Sequence, residues 1–173
     1  MNLKISIKPE QGYNKVFDLG EYGMKLTKFG VLKLAKDTTY EGDSEENELA
    51  IVLIGGNFSA KGEGWEFSVE NGRKSPFTGK PHCLYLPRHT KYTITALSDV
   101  ELAVNSSPAT RDTAKPTLIR PEDTRHLALG KDNWTRTSEI ILDETFDSEH
   151  FYIGEGLSLI HISEPTRRRG ISY

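Results

Sequence analysis

The chain has one cysteine, Cys83, among 173 residues. A single thiol excludes an internal disulfide framework and fits a reducing compartment, so a cytoplasmic location is expected. Long apolar runs are missing as well. The longest stretch is Leu49 to Ile54, whereas a bilayer-spanning helix needs about 20 residues. No apolar run near the N-terminus resembles a signal peptide, and no membrane partner is expected. Nor is there a surplus of positive charge. Lys+Arg number 22 against 25 Asp+Glu, a net formal charge of -3. That balance gives no electrostatic reason to bind nucleic acid or an anionic lipid surface. None of the five histidines sits in an HxH or HExxH arrangement, and there is no CxxC.

The basic residues that do cluster, Arg167 to Arg169, lie in a peculiar tail. Leu157 to Arg167 resembles the in-frame translation of a transposase-type sequencing adapter. Arg168-Arg169-Gly170 then matches a variable index and Ile171-Ser172-Tyr173 the next fixed block. Residues 157–173 are therefore expected to be non-native and to lack defined packing against the rest, although Leu157 to Ile162 can extend a strand. Such segments are set aside before reasoning about fold. Without the tail, Lys+Arg falls from 22 to 19 and Asp+Glu from 25 to 24, so the formal charge moves from -3 to -5. On this reading the native sequence is cut short after Gly156.

What is present is a series of short strands with turn punctuation. Met24 to Leu34 is rich in strand formers and alternates imperfectly. Asp37 to Asn47 reads as a polar loop with a turn at Gly42-Asp43-Ser44. Leu49 to Ile54 is apolar on both faces and stops at Gly55-Gly56, as a strand inside a sandwich or barrel would. Asn57 to Ala60 and Gly64 to Val69 form a hairpin around Lys61-Gly62-Glu63. After a loop from Glu70 to Lys80 come strands at His82 to Leu86, Tyr92 to Ala96 and Val100 to Asn105. This spacing without helical periodicity predicts an all-β sandwich or barrel. Ser106 to Lys115 reads as a connector. Pro121 to Thr124 is a turn or single helical turn, Thr137 to Leu142 a strand, and Phe151 to Glu155 the start of another.

Glu48, six apolar residues and Gly55 match the spacing that closes the first cupin motif. In cupins a glutamate here is commonly a metal ligand, joined by an upstream HxH pair and a histidine from a second motif. The upstream loop, Glu41 to Asn47, has no histidine. The second motif, usually Pro-x-Gly-x-x-His, reads Pro87-Arg88-His89-Thr90-Lys91-Tyr92. Tyr92 holds the ligand place and His89 the glycine place. A four-ligand site needs convergent N and O donors, so no metal is expected in this barrel. Glu48 is the only candidate ligand and reads better as a structural or pocket carboxylate.

A longer ordered pattern is more specific. It comprises Leu49 to Gly55, Gly72-Arg73, Ser75-Pro76-Phe77, Pro81-His82, Tyr85-Leu86-Pro87, Ala96 to Asp99, Glu101 to Val104 and Ile119 to Asp123. Gly130, Asn133-Trp134, Arg136 and Ile153-Gly154-Glu155 follow. In this combination the chain resembles the N-terminal half of the 5-deoxy-glucuronate isomerase family over roughly residues 3–156. These are bicupins of myo-inositol catabolism, sisters of the 5-keto-4-deoxyuronate isomerases. The resemblance implies a cupin-type jelly-roll barrel over 1–108, and a connector with the start of a second cupin over 109–156. It also implies an aldose–ketose isomerisation of a sugar acid, with a divalent metal in the second cupin and none here. The fragment alone is then expected to be inactive.

Within the fragment the catalytic residues stay unassigned, with His82, His89 and Arg73 as candidates. A histidine beside a strand end is more often a hydrogen-bonded structural residue. Arg73 can meet a carboxylate through its planar fork, although an arginine in a Gly/Pro loop is usually solvated. Trp65 and Trp134 can stack on a ligand or pack in a core or interface. Cys83 reads as a buried small hydrophobe. A self-contained sugar-binding or scaffold cupin and the sister isomerase remain as alternatives. Self-association is expected through an apolar face left by the missing barrel, with Trp134 and Phe151 to Ile153 as its surface.

Overall fold

A computed structural model of the chain describes residues 5–130 and 136–158. Trp134 and residues 159–173 of the tail lie outside the described residues. The described residues contain strands and two 3-10 turns, with no α-helix. The strands are β1 (Gly12–Phe17), β2 (Lys28–Leu34), β3 (Thr39–Asp43), β4 (Asn47–Gly55), β5 (Phe58–Gly62), β6 (Trp65–Val69) and β7 (Cys83–Leu86). β8 (Lys91–Ala96), β9 (Val100–Pro108), β10 (Thr117–Ile119), β11 (Arg125–Leu129), β12 (Arg136–Leu142) and β13 (Ile153–Ser158) follow.

Three sheets form. One has the order β1-β2-β9-β4-β7-β10, the second β3-β8-β5-β6, and the third β11-β12-β13. The interleaving of β2-β9-β4-β7 with β3-β8-β5-β6 is the double Greek key of a jelly roll, the cupin-type sandwich. All pairings are antiparallel, including β2 with β9 and β4 with β9. The sandwich core holds Leu32, Leu49, Ile51, Leu53, Phe58, Leu84, Ile94 and Leu102. A second core lies on the other face of the large sheet. There Ala50, Val52, Cys83 and Tyr85 meet Ile119, Ile141 and Leu142. β4 is apolar on both faces because one face enters each core, as its continuous apolar run requires.

Several segments differ from the sequence expectation. Thr39–Asp43 is strand β3 and not a loop. Its inward face carries only Tyr40 and Gly42, so no apolar alternation marks it. The Tyr92 ring fills the space beside Gly42, where an added Cβ would lie 2.4 Å from the ring carbon Cζ. β2 starts at Lys28, and Met24 and Leu26 before it are exposed. β9 continues through Ser106 and Ser107, which are buried and opposite Leu49 and Glu48. Polar composition there hides a core strand. The expected β5–β6 hairpin forms, and Gly64 in its turn has φ +75 with open space around it. Gly64→Ala should therefore cost about 1–2 kcal/mol through the left-handed backbone alone. A urea titration reads this, and an unchanged midpoint would show that the turn relaxes freely.

Candidate functional site

Alternation along β4 decides where Glu48 points. Leu49, Ile51 and Leu53 enter the sandwich, while Ala50 and Val52 face the second core. Glu48 shares the parity of Ala50 and Val52, so its carboxylate leaves the sandwich on the outer side. It is 1 % exposed. There it accepts the Tyr85 hydroxyl at 2.9 Å and the backbone N–H groups of Glu149 at 2.9 Å and His150 at 2.7 Å. Three donors thus meet the buried carboxylate, and His150 Nδ1 lies 3.9 Å from Oε1.

The remaining cupin-motif positions do not converge with it. His89 sits at φ 57, the left-handed conformation that suits a glycine. Its side chain is turned to Arg88 and Glu46 at the surface. Tyr92 does face the sandwich interior, packed beside Tyr40. Burial pushes its hydroxyl far above the ordinary tyrosine range, and Tyr40 and Tyr13 add to that. Among the described residues no group of three or more His, Cys, Asp or Glu could hold a metal ion. A phenol and an outward-facing carboxylate do not make the cupin donor set, so the barrel interior does not fit that metal.

Arg73 overturns the expectation of a solvated loop arginine: it is 5 % exposed. Its placement depends on tight backbone packing. The Gly56 N–H donates to the Arg73 carbonyl at 2.8 Å, and the Gly72 N–H to Asn57 Oδ1 at 2.8 Å. A Cβ at Gly72 would sit 2.0 Å from the Gly56 carbonyl oxygen, so a glycine must precede Arg73. All five guanidinium N–H groups are used. Nε and Nη2 donate to the Leu53 carbonyl, and Nη1 to that of Gly79 at 3.2 Å. Nη1 also donates to Glu155 Oε2 at 2.6 Å, and Nη2 to Glu155 Oε1. The carboxylate held by Arg73 thus belongs to β13, and no donor is left for a ligand.

Glu155 begins a charged row across the third sheet. It lies opposite Glu139, which lies opposite His126. Two carboxylates facing each other across strands repel, and each has its own cation from the 70–82 loop. Lys80 Nζ is 3.1 Å from Glu139, which also accepts from Thr124 at 3.0 Å and contacts His126 Nδ1. Burial pushes the Glu139 carboxyl up, but the bonds from His126, Lys80 and Thr124 outweigh it and leave it below the usual range. This row had no sequence signal, because β11 is marked by no apolar alternation and the pairing sets the neighbours. His82 is buried beside it, and its Nδ1 has no hydrogen-bond partner. Burial lowers its pKa; Glu122 opposes this while Arg120 and Arg73 reinforce it. Phe151 and Ile153 are half-buried against the second core and Tyr152 is exposed, while Trp134, the other part of the expected apolar face, lies outside the described residues. Leu157 and Ser158 continue β13, paired with Thr137 and Arg136.

The connector is tied down by Glu149. It accepts the backbone N–H of Thr110 at 2.6 Å and of Arg111 at 2.9 Å, plus the Thr110 hydroxyl at 2.9 Å. These bonds pull its carboxyl down to about 2. A folded value below the unfolded one means that this stabilisation is complete above about pH 5 and is lost as pH falls toward 2. Glu149→Gln should therefore lower the urea midpoint at neutral pH and flatten its decline on acidification. Parallel midpoint–pH curves for the two proteins would contradict this.

A sequence model of the KduI/IolB family matches residues 7–158. The chain belongs to the KduI/IolB family. It is 30% identical over 138 residues to the 5-deoxy-glucuronate isomerase of Geobacillus kaustophilus, covering 77% of this chain and 48% of that protein. With the 5-deoxy-glucuronate isomerase of Bacillus subtilis strain 168 it shares 30% identity over 124 residues, 70% of this chain and 45% of that one. The chain thus spans about half the length of the curated relatives it matches. Among solved structures it is similar to an IolB-like protein from Salmonella typhimurium LT2. The TM-score is 0.78 at 28% identity, covering 86% of this chain and 56% of that one. Both the Gly72-Arg73 and the Ile153-Gly154-Glu155 segments lie inside the region matched to the KduI/IolB family, and the structure joins them in one ion pair.

Proposed function

We propose that this KduI/IolB sandwich is the N-terminal part of an intramolecular aldose–ketose isomerase that converts 5-deoxy-glucuronate to 5-dehydro-2-deoxy-gluconate in myo-inositol catabolism. The observation that carries the reading is the family match over residues 7–158, together with relatives named 5-deoxy-glucuronate isomerase at 30% identity. Such a reaction moves a proton between adjacent carbons and needs a base and groups that stabilise an enediolate. In this sandwich Arg73 and Glu48 have their hydrogen-bonding capacity committed to the fold. Their role is to hold the third sheet and the connector in place. The acid–base groups and the divalent metal belong, on this reading, to the part of the relatives that lies beyond the matched region. A cytoplasmic setting goes with this reading and with the single thiol, Cys83.

The test is conversion of 5-deoxy-glucuronate by this chain alone and by this chain fused to the C-terminal half of the Bacillus subtilis relative. The fusion should turn over substrate. The chain alone should be slower by several orders of magnitude, since each 1.36 kcal/mol of lost transition-state stabilisation is about tenfold in rate. Comparable turnover by the chain alone would place the active site in this sandwich. A folded fusion inactive on 5-deoxy-glucuronate would favour a sugar-binding module or the sister 5-keto-4-deoxyuronate isomerase.

A further inference from the structure

We propose that Asn71–Gly72 is a modification site at which Asn71 converts, without an enzyme, to isoaspartate, and that the Asn57 carboxamide holds this conversion in check. The pair follows the end of β6 at Val69. It is the only Asn-Gly dipeptide in the chain. An asparagine before glycine can close on itself, because no Cβ on the following residue shields the amide nitrogen. That nitrogen, here of Gly72, gives up its proton and attacks Cγ of Asn71. The N–Cγ bond forms as the Cγ–Nδ2 bond breaks, and the proton leaves with the side-chain nitrogen as ammonia. Water then opens the succinimide ring. Attack at Cγ gives an ordinary aspartate. Attack at the main-chain carbonyl carbon gives isoaspartate, whose backbone runs through the side chain and is one carbon longer. Either way a neutral amide becomes a carboxylate, and water is the only co-reactant.

The two residues meet different environments. Asn71 is exposed to water. Gly72 is held: its N–H donates to Asn57 Oδ1 at 2.8 Å. Removing that proton would set an amide anion against a carbonyl oxygen, which opposes the first step. Asn57 is fixed in turn. Its backbone N–H donates to Ser98 Oγ at 2.9 Å, and its carbonyl accepts from the Leu97 N–H at 3.0 Å. On the other side of Gly72, the Arg73 carbonyl accepts from Gly56 at 2.8 Å and the guanidinium donates to the Leu53 carbonyl. Gly72 therefore cannot swing toward the Asn71 side chain unless the loop opens.

The same packing makes the product incompatible with the closed loop. A Cβ built on Gly72 would lie 2.0 Å from the Gly56 carbonyl oxygen and 3.0 Å from Leu53 Cδ2. Gly72 has no slack with which to absorb an extra backbone carbon just before it. Isoaspartate thus traps an open loop and withdraws Arg73 from the Leu53 carbonyl and from Glu155. Glu155 is then left opposite Glu139 without its cation. Chemical ageing at one peptide bond is in this way coupled to the attachment of the third sheet. The coupling holds whatever reaction the protein catalyses, since no substrate enters it.

The experiment incubates the full chain at mildly alkaline pH and follows the peptide containing Asn71 by mass spectrometry. A protein isoaspartyl methyltransferase quantifies the isoaspartate. The mass gain of amide-to-acid conversion should accumulate at Asn71, faster in urea than in the folded chain, and be nearly absent in Asn71→Gln. Asn57→Ala removes one hydrogen bond and should speed conversion of the folded chain about tenfold. Asn57→Asp keeps the acceptor and should keep the slow rate. Exchange of the Ile51 amide, fully buried in the core, reports global opening alongside. The separated isoaspartyl protein should have a lower urea midpoint than its parent. No conversion at Asn71 in the unfolded chain would overturn the site. Equal rates in Asn57→Ala and wild type would overturn the role of Asn57. So would an Ile51 exchange rate raised as much as the conversion rate. An isoaspartyl protein as stable as its parent would show that the loop absorbs the added carbon and would overturn the coupling to the third sheet.

Discussion

Arg73→Met should destabilise the protein by about 3–5 kcal/mol, the range for removing one partner of a buried ion pair. The methionine keeps most of the aliphatic volume, so little of the loss comes from a cavity. What it loses is every donor in a closed set. The Glu155 carboxylate is left without its cation, facing Glu139 directly across the strand pair. The Leu53 and Gly79 carbonyls lose their side-chain donor as well. Glu155→Gln should cost less. A glutamine oxygen can still accept from Nη1 or Nη2, and the substitution also removes the repulsion with Glu139. The two variants combined should cost less than their sum, because the second change removes the charge that the first strands. Urea denaturation of the four proteins measures this. Additive losses would mean that the pair contributes no coupling and that the third sheet is held by the second core alone.

The fold was legible in the sequence where side chains alternate against solvent, and illegible where the structure supplies the missing face. β4 shows this well: six apolar residues closed by two glycines can only be a strand buried on both sides. β3 fails for the opposite reason. Half of its inward face is Gly42, and the group that fills the space is Tyr92 from another strand. β9 was cut short at Asn105 because Ser106 and Ser107 look like a connector, yet both are buried on the central sheet.

The site was legible only in part for a related reason. Glu48, Arg73, His82 and His89 stand out as residue types, but their chemistry depends on partners distant in sequence. Arg73 is 82 residues from Glu155, and Glu48 is 101 and 102 residues from the amides it holds. Parity along β4 was in principle readable. Glu48 and Leu49 must point to opposite faces of the sheet. Only the packing of the third sheet against the outer face shows which of the two enters the sandwich.

Glu48→Ala should free the segment around Glu149 and His150 and cost roughly 2–5 kcal/mol, since each donor left unsatisfied costs about 1–3 kcal/mol. Among the described residues, the alanine removes the only acceptor of two backbone N–H groups and of the Tyr85 hydroxyl. Water can reach the partly buried amides more easily than the hydroxyl, so Tyr85 carries the larger share. Glu48→Gln should fall between wild type and alanine, because its single carbonyl oxygen faces three donors and its amide N–H group opposes them. The loss should be felt locally first. Loosening Glu149 also releases Thr110 and Arg111, which depend on its carboxylate. The connector and the 147–151 turn would then open as one unit below the energy of global unfolding. Amide hydrogen exchange distinguishes the two levels. In Glu48→Ala the amides of Thr110, Arg111, Glu149 and His150 should exchange faster, while those of Ile51 and Leu84, fully buried in the sandwich core, change only with global stability. Uniform acceleration at all six would show that Glu48 supports the whole sandwich. No change at any of them would show that the carboxylate is not what holds the segment in place.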